Sequence, residues 1–128
     1  MIFLLSESIA NLQDSFLETL QDGLKKCGAD LAAKRTLRLD GKARLVPVGD
    51  DPQDRVVEEF LAACPQLASM FTELAIRASL LYALRDLQTA IFSAVPAQAY
   101  AALGADMGFK FYQVSLKGDM SHFYFSRA

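Results

Sequence analysis

A long apolar segment, Gln66 to Ala94, sets the first limit on how this chain of 128 residues can fold. Apolar residues recur along it at three- and four-residue intervals and lie almost all round it, which predicts a buried central helix. As one helix it would span about 43 Å, whereas a domain of this size has an expected radius of gyration of about 14 Å. The helix therefore either breaks near Ser79, or projects from the domain and pairs with a second chain.

The long helix carries more apolar residues than one buried stripe requires. The excess is represented by Ile76, Leu80, Tyr82 and Leu84. One interpretation places these residues in the core, beneath the first helix and two hairpins. The other places them in an interface with a second copy or another protein, because a large apolar patch has to be covered.

Two further helices are predicted on either side of the first hairpin. The first runs from about Ser6, a candidate N-cap, to Cys27, and Gly28 is its expected terminator. The second begins after Asp51, with an acidic N-cap followed by proline, and ends near Cys64. A short helical turn is expected from Pro96 to Leu103.

Two segments of alternating polarity predict a first hairpin around Asp40-Gly41. A three-residue loop, Asp40 to Lys42, would pair Leu39 with Ala43 and Leu37 with Leu45, so that all four apolar groups share one face. Pro47 cannot donate a ladder hydrogen bond, which predicts that the second strand lies at a sheet edge or ends there.

The C-terminal region gives the clearest strand pattern. Phe109 to Leu116 and Met120 to Arg127 flank a Gly118-Asp119 loop that suits a type II′ turn. In this register the core face comprises Tyr112, Val114, Phe123 and Phe125. The opposite face comprises Gln113, Ser115, His122 and Tyr124.

The order of elements predicts a single α+β domain over residues 1–128. It contains an N-terminal helix, a hairpin, a helical middle with one long buried helix, and a C-terminal hairpin. An antiparallel sheet of about four strands, or two separate hairpins, would pack on the helices.

The sequence contains little that supports catalysis or cofactor binding. It has one histidine and two widely separated cysteines, Cys27 and Cys64, which are expected to be buried thiols. No zinc-ligand spacing, phosphate-binding glycine motif or GxSxG is present, so we expect no metal or cofactor and favour a non-enzymatic protein. Sparse cysteines and an N-terminus without a basic signal region predict a cytoplasmic protein with no membrane span.

Two polar clusters remain as alternative sites. The outer face of the C-terminal hairpin, with Gln113, Ser115, His122 and Tyr124, is either a small-molecule or minor enzymatic site or an ordinary outer sheet face. A basic cluster, defined here as Lys34, Arg35, Arg38, Lys42 and Arg44, would set Arg38 opposite Arg44.

The basic cluster has two possible partners. Nucleic acid is one, although the formal net charge is −2 and no aromatic residue lies within the cluster to stack on bases. An acidic protein surface is the other, and the chain supplies one between Asp50 and Glu59. The leading hypothesis is a non-enzymatic interaction or accessory protein that forms a homodimer through the long helix.

Overall fold

The computed structural model describes residues 2–49, 51–92 and 110–127. These ranges contain three helices: α1 (Ile2–Lys26), α2 (Asp54–Ala63) and α3 (Pro65–Phe92). They also contain four strands: β1 (Arg35–Leu39), β2 (Leu45–Val48), β3 (Lys110–Lys117) and β4 (Met120–Arg127). The predicted α+β class and order of elements are confirmed. The expected helical turn from Pro96 to Leu103 lies outside the described residues.

The two hairpins form one antiparallel sheet with strand order β2-β1-β3-β4. The central pair, β1 with β3, joins the hairpins and sets Leu37 opposite Val114. Of the two arrangements that the sequence left open, the single sheet is therefore the one that forms. Strand β2, which contains Pro47, lies at an edge as predicted.

The C-terminal hairpin has the predicted register. Tyr112 lies opposite Phe125 and Val114 opposite Phe123, so the aromatic face of the hairpin packs on the helices. Gly118 begins the two-residue loop with a φ of 62°, the sign that a type II′ turn requires at its first central position.

The predicted register of the first hairpin is wrong by two residues. Leu39 pairs with Leu45, not with Ala43, and Leu37 pairs with Pro47. Because side chains alternate along a strand, a shift of two residues keeps every side chain on its predicted face. Leu37, Leu39 and Leu45 therefore still face the core, and Ala43 moves from the strand into the loop.

The Asp40 side chain accounts for the longer loop. Its carboxylate accepts hydrogen bonds from the backbone N–H groups of Lys42 at 2.8 Å and Arg44 at 2.9 Å. The N–H of Asp40 donates to the Arg44 carbonyl oxygen at 2.8 Å and closes a connection that runs from Asp40 to Arg44. Ala43 takes a φ of 58° within it, which L-residues adopt at some cost.

Helix α1 begins at Ile2, so the prediction of Ser6 as its N-cap is wrong. Ile2 and Leu5 are half-buried and continue the apolar stripe that faces the core, which extends the helix beyond Ser6. The other end agrees with the prediction, since Gly28 stops the helix with a φ of 83°.

Helix α2 begins at Asp54, two residues after the predicted first position at Pro52. The prediction of an acidic N-cap is therefore wrong, because the residue before the helix is Gln53 and its side chain makes no capping hydrogen bond. The Asp51 carboxylate accepts a hydrogen bond from the Gln53 N–H at 2.8 Å, and the Asp54 carboxylate accepts one from the Asp51 N–H at 3.1 Å. The two aspartates thus stabilise the turn that precedes the helix.

Helices α1 and α3 lie against the inner face of the sheet and run in opposite directions. The rings of Phe16 and Phe71 are 5.4 Å apart, and further along the pair the Arg77 guanidinium donates to the Ser8 hydroxyl at 2.7 Å. The largest fully buried side chains come from all three helices and both central strands: Phe16, Leu20, Leu24, Leu37, Val57, Leu67, Phe71, Leu74 and Val114.

Candidate protein-interaction surface

Helix α3 is unbroken over Pro65–Phe92 and does not break near Ser79. Its 28 residues span about 42 Å. Leu67, Phe71 and Leu74 are completely buried, and Ala78 is the last buried position among the side chains of α3 that the structure describes. The core therefore covers the inner side of the first half of the helix completely, whereas the described side chains beyond Ala78, up to Leu87, are half-buried or exposed.

An apolar stripe runs along the side of α3 that faces away from the core. We define the outward stripe as Ile76, Leu80, Ala83 and Leu87. These residues lie within about 60° of one another around the helix and opposite the buried positions. Ile76 is 58% exposed and Leu80 is 51% exposed. Their spacing of four, three and four residues is that of a coiled-coil seam.

The structure brings together only two of the four predicted interface residues. Ile76 and Leu80 share the exposed stripe, whereas Tyr82 lies on the sheet side of α3. The Tyr82 ring meets the Phe125 ring edge to face, with centroids 5.9 Å apart. Leu84 is half-buried.

A groove lies beside the first half of α3 and leads to the outward stripe. Its volume is about 730 Å³, and it opens between α2, α3 and the hairpin formed by β1 and β2; we call it the α2–α3 groove. Arg44, Glu58 and Glu73 line it with charged side chains. Its apolar lining comes from Leu45, Val46, Leu61, Ala62, Pro65 and Ala68.

The α2–α3 groove and the outward stripe form one continuous surface. Thr72 and Glu73 line the groove, and Ile76 follows them by about one helical turn on the same side of α3. Sequence reasoning missed the groove, because its lining comes from three elements and mixes apolar with polar side chains, so that it forms no apolar stripe on any one of them.

The N-terminal end of α1 adds exposed apolar residues near the second half of α3. Phe3 is 76% exposed and Leu4 is 67% exposed. The Arg85 guanidinium of α3 donates to the Ser6 hydroxyl at 3.3 Å, which places this end of α1 beside the second half of α3.

The basic cluster does not form a single surface. Arg35 is buried on the core face of β1, in phase with Leu37, and only 6% of it is exposed. Its Nη2 donates to the Asp30 carbonyl oxygen at 2.8 Å and lies 3.4 Å from the Gln53 Oε1. Its Nη1 is buried without a hydrogen-bond partner.

The predicted facing of Arg38 and Arg44 is wrong. Arg38 pairs with Val46, and Arg44 lies in the loop, where its Nε is 3.0 Å from the Asp40 carboxylate. The Arg44 backbone N–H, assisted by the Lys42 N–H and the Arg44 guanidinium, holds the pKa of the Asp40 carboxyl below its ordinary value. Nucleic-acid binding by Lys34, Arg38 and Lys42 stays a prediction.

The outer sheet face contains the predicted group of polar side chains. Tyr124 and Ser115 hydroxyl oxygens lie 3.0 Å apart, and the Thr36 hydroxyl lies 3.0 Å from that of Ser115. The His122 ring stacks on the Tyr124 ring at 5.2 Å. Gln113, in the same row, is buried. These hydroxyls bond to one another across three strands, an arrangement that stabilises the sheet, and ligand binding here stays a prediction.

The described residues offer no other chemical centre. They contain no group of three or more histidine, cysteine, aspartate or glutamate side chains that could hold a metal ion. Cys27 and Cys64 are free and half-buried. Within the same residues, Pro65–Leu87 of α3 is long and apolar enough to cross a membrane by length and composition. A helix that contributes Leu67, Phe71 and Leu74 to a protein core satisfies the same two criteria.

Comparison with family models, with curated proteins and with solved structures finds no match for this chain. The outward stripe and the α2–α3 groove together form the candidate site.

Proposed function

We propose that this chain is a non-enzymatic protein-interaction module that forms a homodimer through the outward stripe of α3. The observation that carries the proposal is the exposure of Ile76 and Leu80 at the middle of an unbroken helix, on the side that faces away from the core. Two aliphatic side chains of this size, exposed one helical turn apart, favour association over contact with water.

A second copy is the occupant that the stripe itself favours. The spacing of Ile76, Leu80, Ala83 and Leu87 is the spacing by which two helices interlock, and none of these four residues is charged. A twofold pair of such stripes is self-complementary, because each helix presents to its partner the same surface that it receives.

The exposed area indicates how strongly the two central residues contribute. Complete burial of Ile or Leu stabilises a protein by about 1.5–3 kcal/mol, and about half of each side chain remains to be buried here. Each side chain then contributes about 1 kcal/mol on dimerisation. The four side chains of a symmetric dimer contribute about 4 kcal/mol, or about a thousandfold in the dissociation constant.

Analytical ultracentrifugation over a range of protein concentrations tests the proposal. We expect the parent protein to sediment as a dimer and the variant Ile76→Glu/Leu80→Glu to sediment as a monomer, since four carboxylates would be buried in the seam. Val56→Glu is the matched control, because Val56 is also an exposed apolar residue on a helix, 40% exposed on α2. Circular dichroism checks that all three proteins keep their helices.

Three results would contradict the proposal. The homodimer is contradicted by a parent protein that stays monomeric at every concentration. It is also contradicted by a double variant that dimerises as tightly as the parent. A monomer that sediments with phosphatidylcholine vesicles, in a manner that Ile76→Glu/Leu80→Glu abolishes, assigns the stripe to a lipid surface instead.

A further inference from the structure

We infer that the two α3 helices of the dimer run antiparallel, and that the second half of each occupies the α2–α3 groove of the other copy. This inference rests on the proposed function and adds to it the orientation and the occupant of the groove. It follows from where the groove and the second half of the helix lie along α3.

The groove and Leu87 are equally far from the level midway between Ile76 and Leu80, the two exposed residues of the outward stripe. Ala78 lies midway between Ile76 and Leu80. Ser69, which lines the groove, precedes Ala78 by nine residues, and Leu87, the last residue of the stripe, follows it by nine. A twofold axis at the level of Ala78 therefore sets Leu87 of each copy opposite Ser69 of the other, about 14 Å from the axis.

The shapes of the two regions complement each other only in this orientation. The groove is a concave surface with an apolar lining, and the second half of α3 is a convex helix whose outward side carries Leu80, Ala83 and Leu87. An antiparallel pair sets the second half of each helix against the groove of the other copy. A parallel pair would set Leu87 against Leu87 and leave both grooves open.

The charges on one flank of α3 also favour the antiparallel pair. Asp86 lies on the same flank of α3 as Ser79, which precedes it by one heptad. Ser79 faces the hairpin of β1 and β2. In an antiparallel pair of helices, each flank of one helix meets the same flank of the other. Asp86 of one copy therefore approaches the Asp40–Arg44 loop of the other copy. That loop carries Lys42 and Arg44, whose side chains are exposed.

Disulfide cross-linking distinguishes the orientations. Both native cysteines are first replaced by serine, and Ser69→Cys and Leu87→Cys are then introduced into separate chains. We expect mild oxidation of the mixed chains to give a disulfide-linked dimer of one Ser69→Cys and one Leu87→Cys chain. Leu87→Cys alone should not cross-link, because its two sulfur atoms would be separated by about 27 Å along the helices. Val56→Cys measures the background of random collision.

Each other outcome overturns the inference in a distinguishable way. Efficient cross-linking of Leu87→Cys alone means a parallel dimer, which leaves the proposed function intact and removes the groove contact. The groove contact is also contradicted if the protein sediments as a dimer but the mixed Ser69→Cys and Leu87→Cys chains cross-link no faster than Val56→Cys. A monomer in the ultracentrifuge removes both proposals.

A substitution within the groove gives a second measurement. Ala62 lines the groove and is exposed in the monomer, so Ala62→Arg leaves the core intact. We expect the longer side chain to obstruct the partner helix and to raise the dimer dissociation constant about tenfold or more. An unchanged dissociation constant would show that the groove stays empty in the dimer.

Discussion

The contact between Gly23 and Phe60 offers a test in which two physical effects have opposite signs. Gly23 lies inside α1, and the Phe60 ring of α2 lies where a Cβ atom of residue 23 would be. Helix propensity predicts that Gly23→Ala stabilises the protein by about 1 kcal/mol. Overlap with the ring predicts the reverse, because overpacking a contact costs about 1–3 kcal/mol.

We expect the overlap to prevail. The Phe60 ring is half-buried against the core, so it can move aside only by giving up packing. The net effect is a loss of about 1 kcal/mol in the free energy of unfolding, or about 4 °C in Tm for a domain of this size. Phe60→Leu removes the three ring atoms nearest to the added methyl group. In that background Gly23→Ala should gain about 1 kcal/mol, which makes the coupling about 2 kcal/mol.

Urea unfolding of the four proteins of this double-mutant cycle measures the coupling. All four are compared at one protein concentration, because dimerisation makes apparent stability depend on concentration. A Gly23→Ala effect of the same sign and size in both backgrounds would refute the reasoning. It would mean that α2 does not rest on α1 at this position.

Two further predictions concern buried polar groups. Arg35→Met should leave the free energy of unfolding unchanged or raise it. The reason is that Nη1 of Arg35 is buried without a hydrogen-bond partner, and burial of a cation is costly. A decrease of more than about 2 kcal/mol in the free energy of unfolding, measured in urea, would contradict this. Burial raises the pKa of the Tyr112 hydroxyl above its ordinary value of 10.0, although a hydrogen bond from Gln13 opposes the shift. The folded state then holds this proton at a pH where the unfolded state has lost it, so stability should fall as pH rises above about 10. Tyr112→Phe should reduce that fall in unfolding experiments between about pH 9 and 11, and parallel curves for the two proteins would exclude the effect.

The two hairpins show what alternation of side chains can predict. In the C-terminal hairpin, Gly118 fixes the loop, and the aromatic residues then fix every pair. In the first hairpin the same alternation fixes the faces only, because registers that differ by two residues bury the same side chains. The side chain of Asp40 selects between them through hydrogen bonds that have no counterpart in the polarity pattern.

The basic cluster was predicted to form one surface because its residues share a positive charge, and this prediction is wrong. Arg35 alternates in phase with Leu37 and Leu39, so the strand pattern already assigned it to the core face. Residues that are neighbours in sequence alternate between the two faces of a strand, so proximity in sequence did not place these basic residues on one surface. The same pattern does place Arg38 on the outer face, where the structure has it.

The candidate site was predictable in part. Apolar periodicity predicted α3 and the excess at Ile76 and Leu80, since both depend on one helix alone. The α2–α3 groove was not predictable, because it depends on how α2 and the first hairpin pack against α3. Tyr82 was predicted to lie in the interface as part of that apolar excess, but its ring packs against Phe125, a contact across the fold that the helix pattern does not contain.

The central pair of strands has a consequence for the order in which the protein folds. Thr36 and Ser115 bond across β1 and β3, yet they are 79 residues apart in the chain. During translation β1 leaves the ribosome long before β3, and until then its free edge can pair with other nascent chains. Lys34, Arg35 and Arg38 cluster at this strand, and like charges repel neighbouring copies of the same edge. Until the C-terminal hairpin docks on β1, this repulsion disfavours pairing of the free edge with another chain.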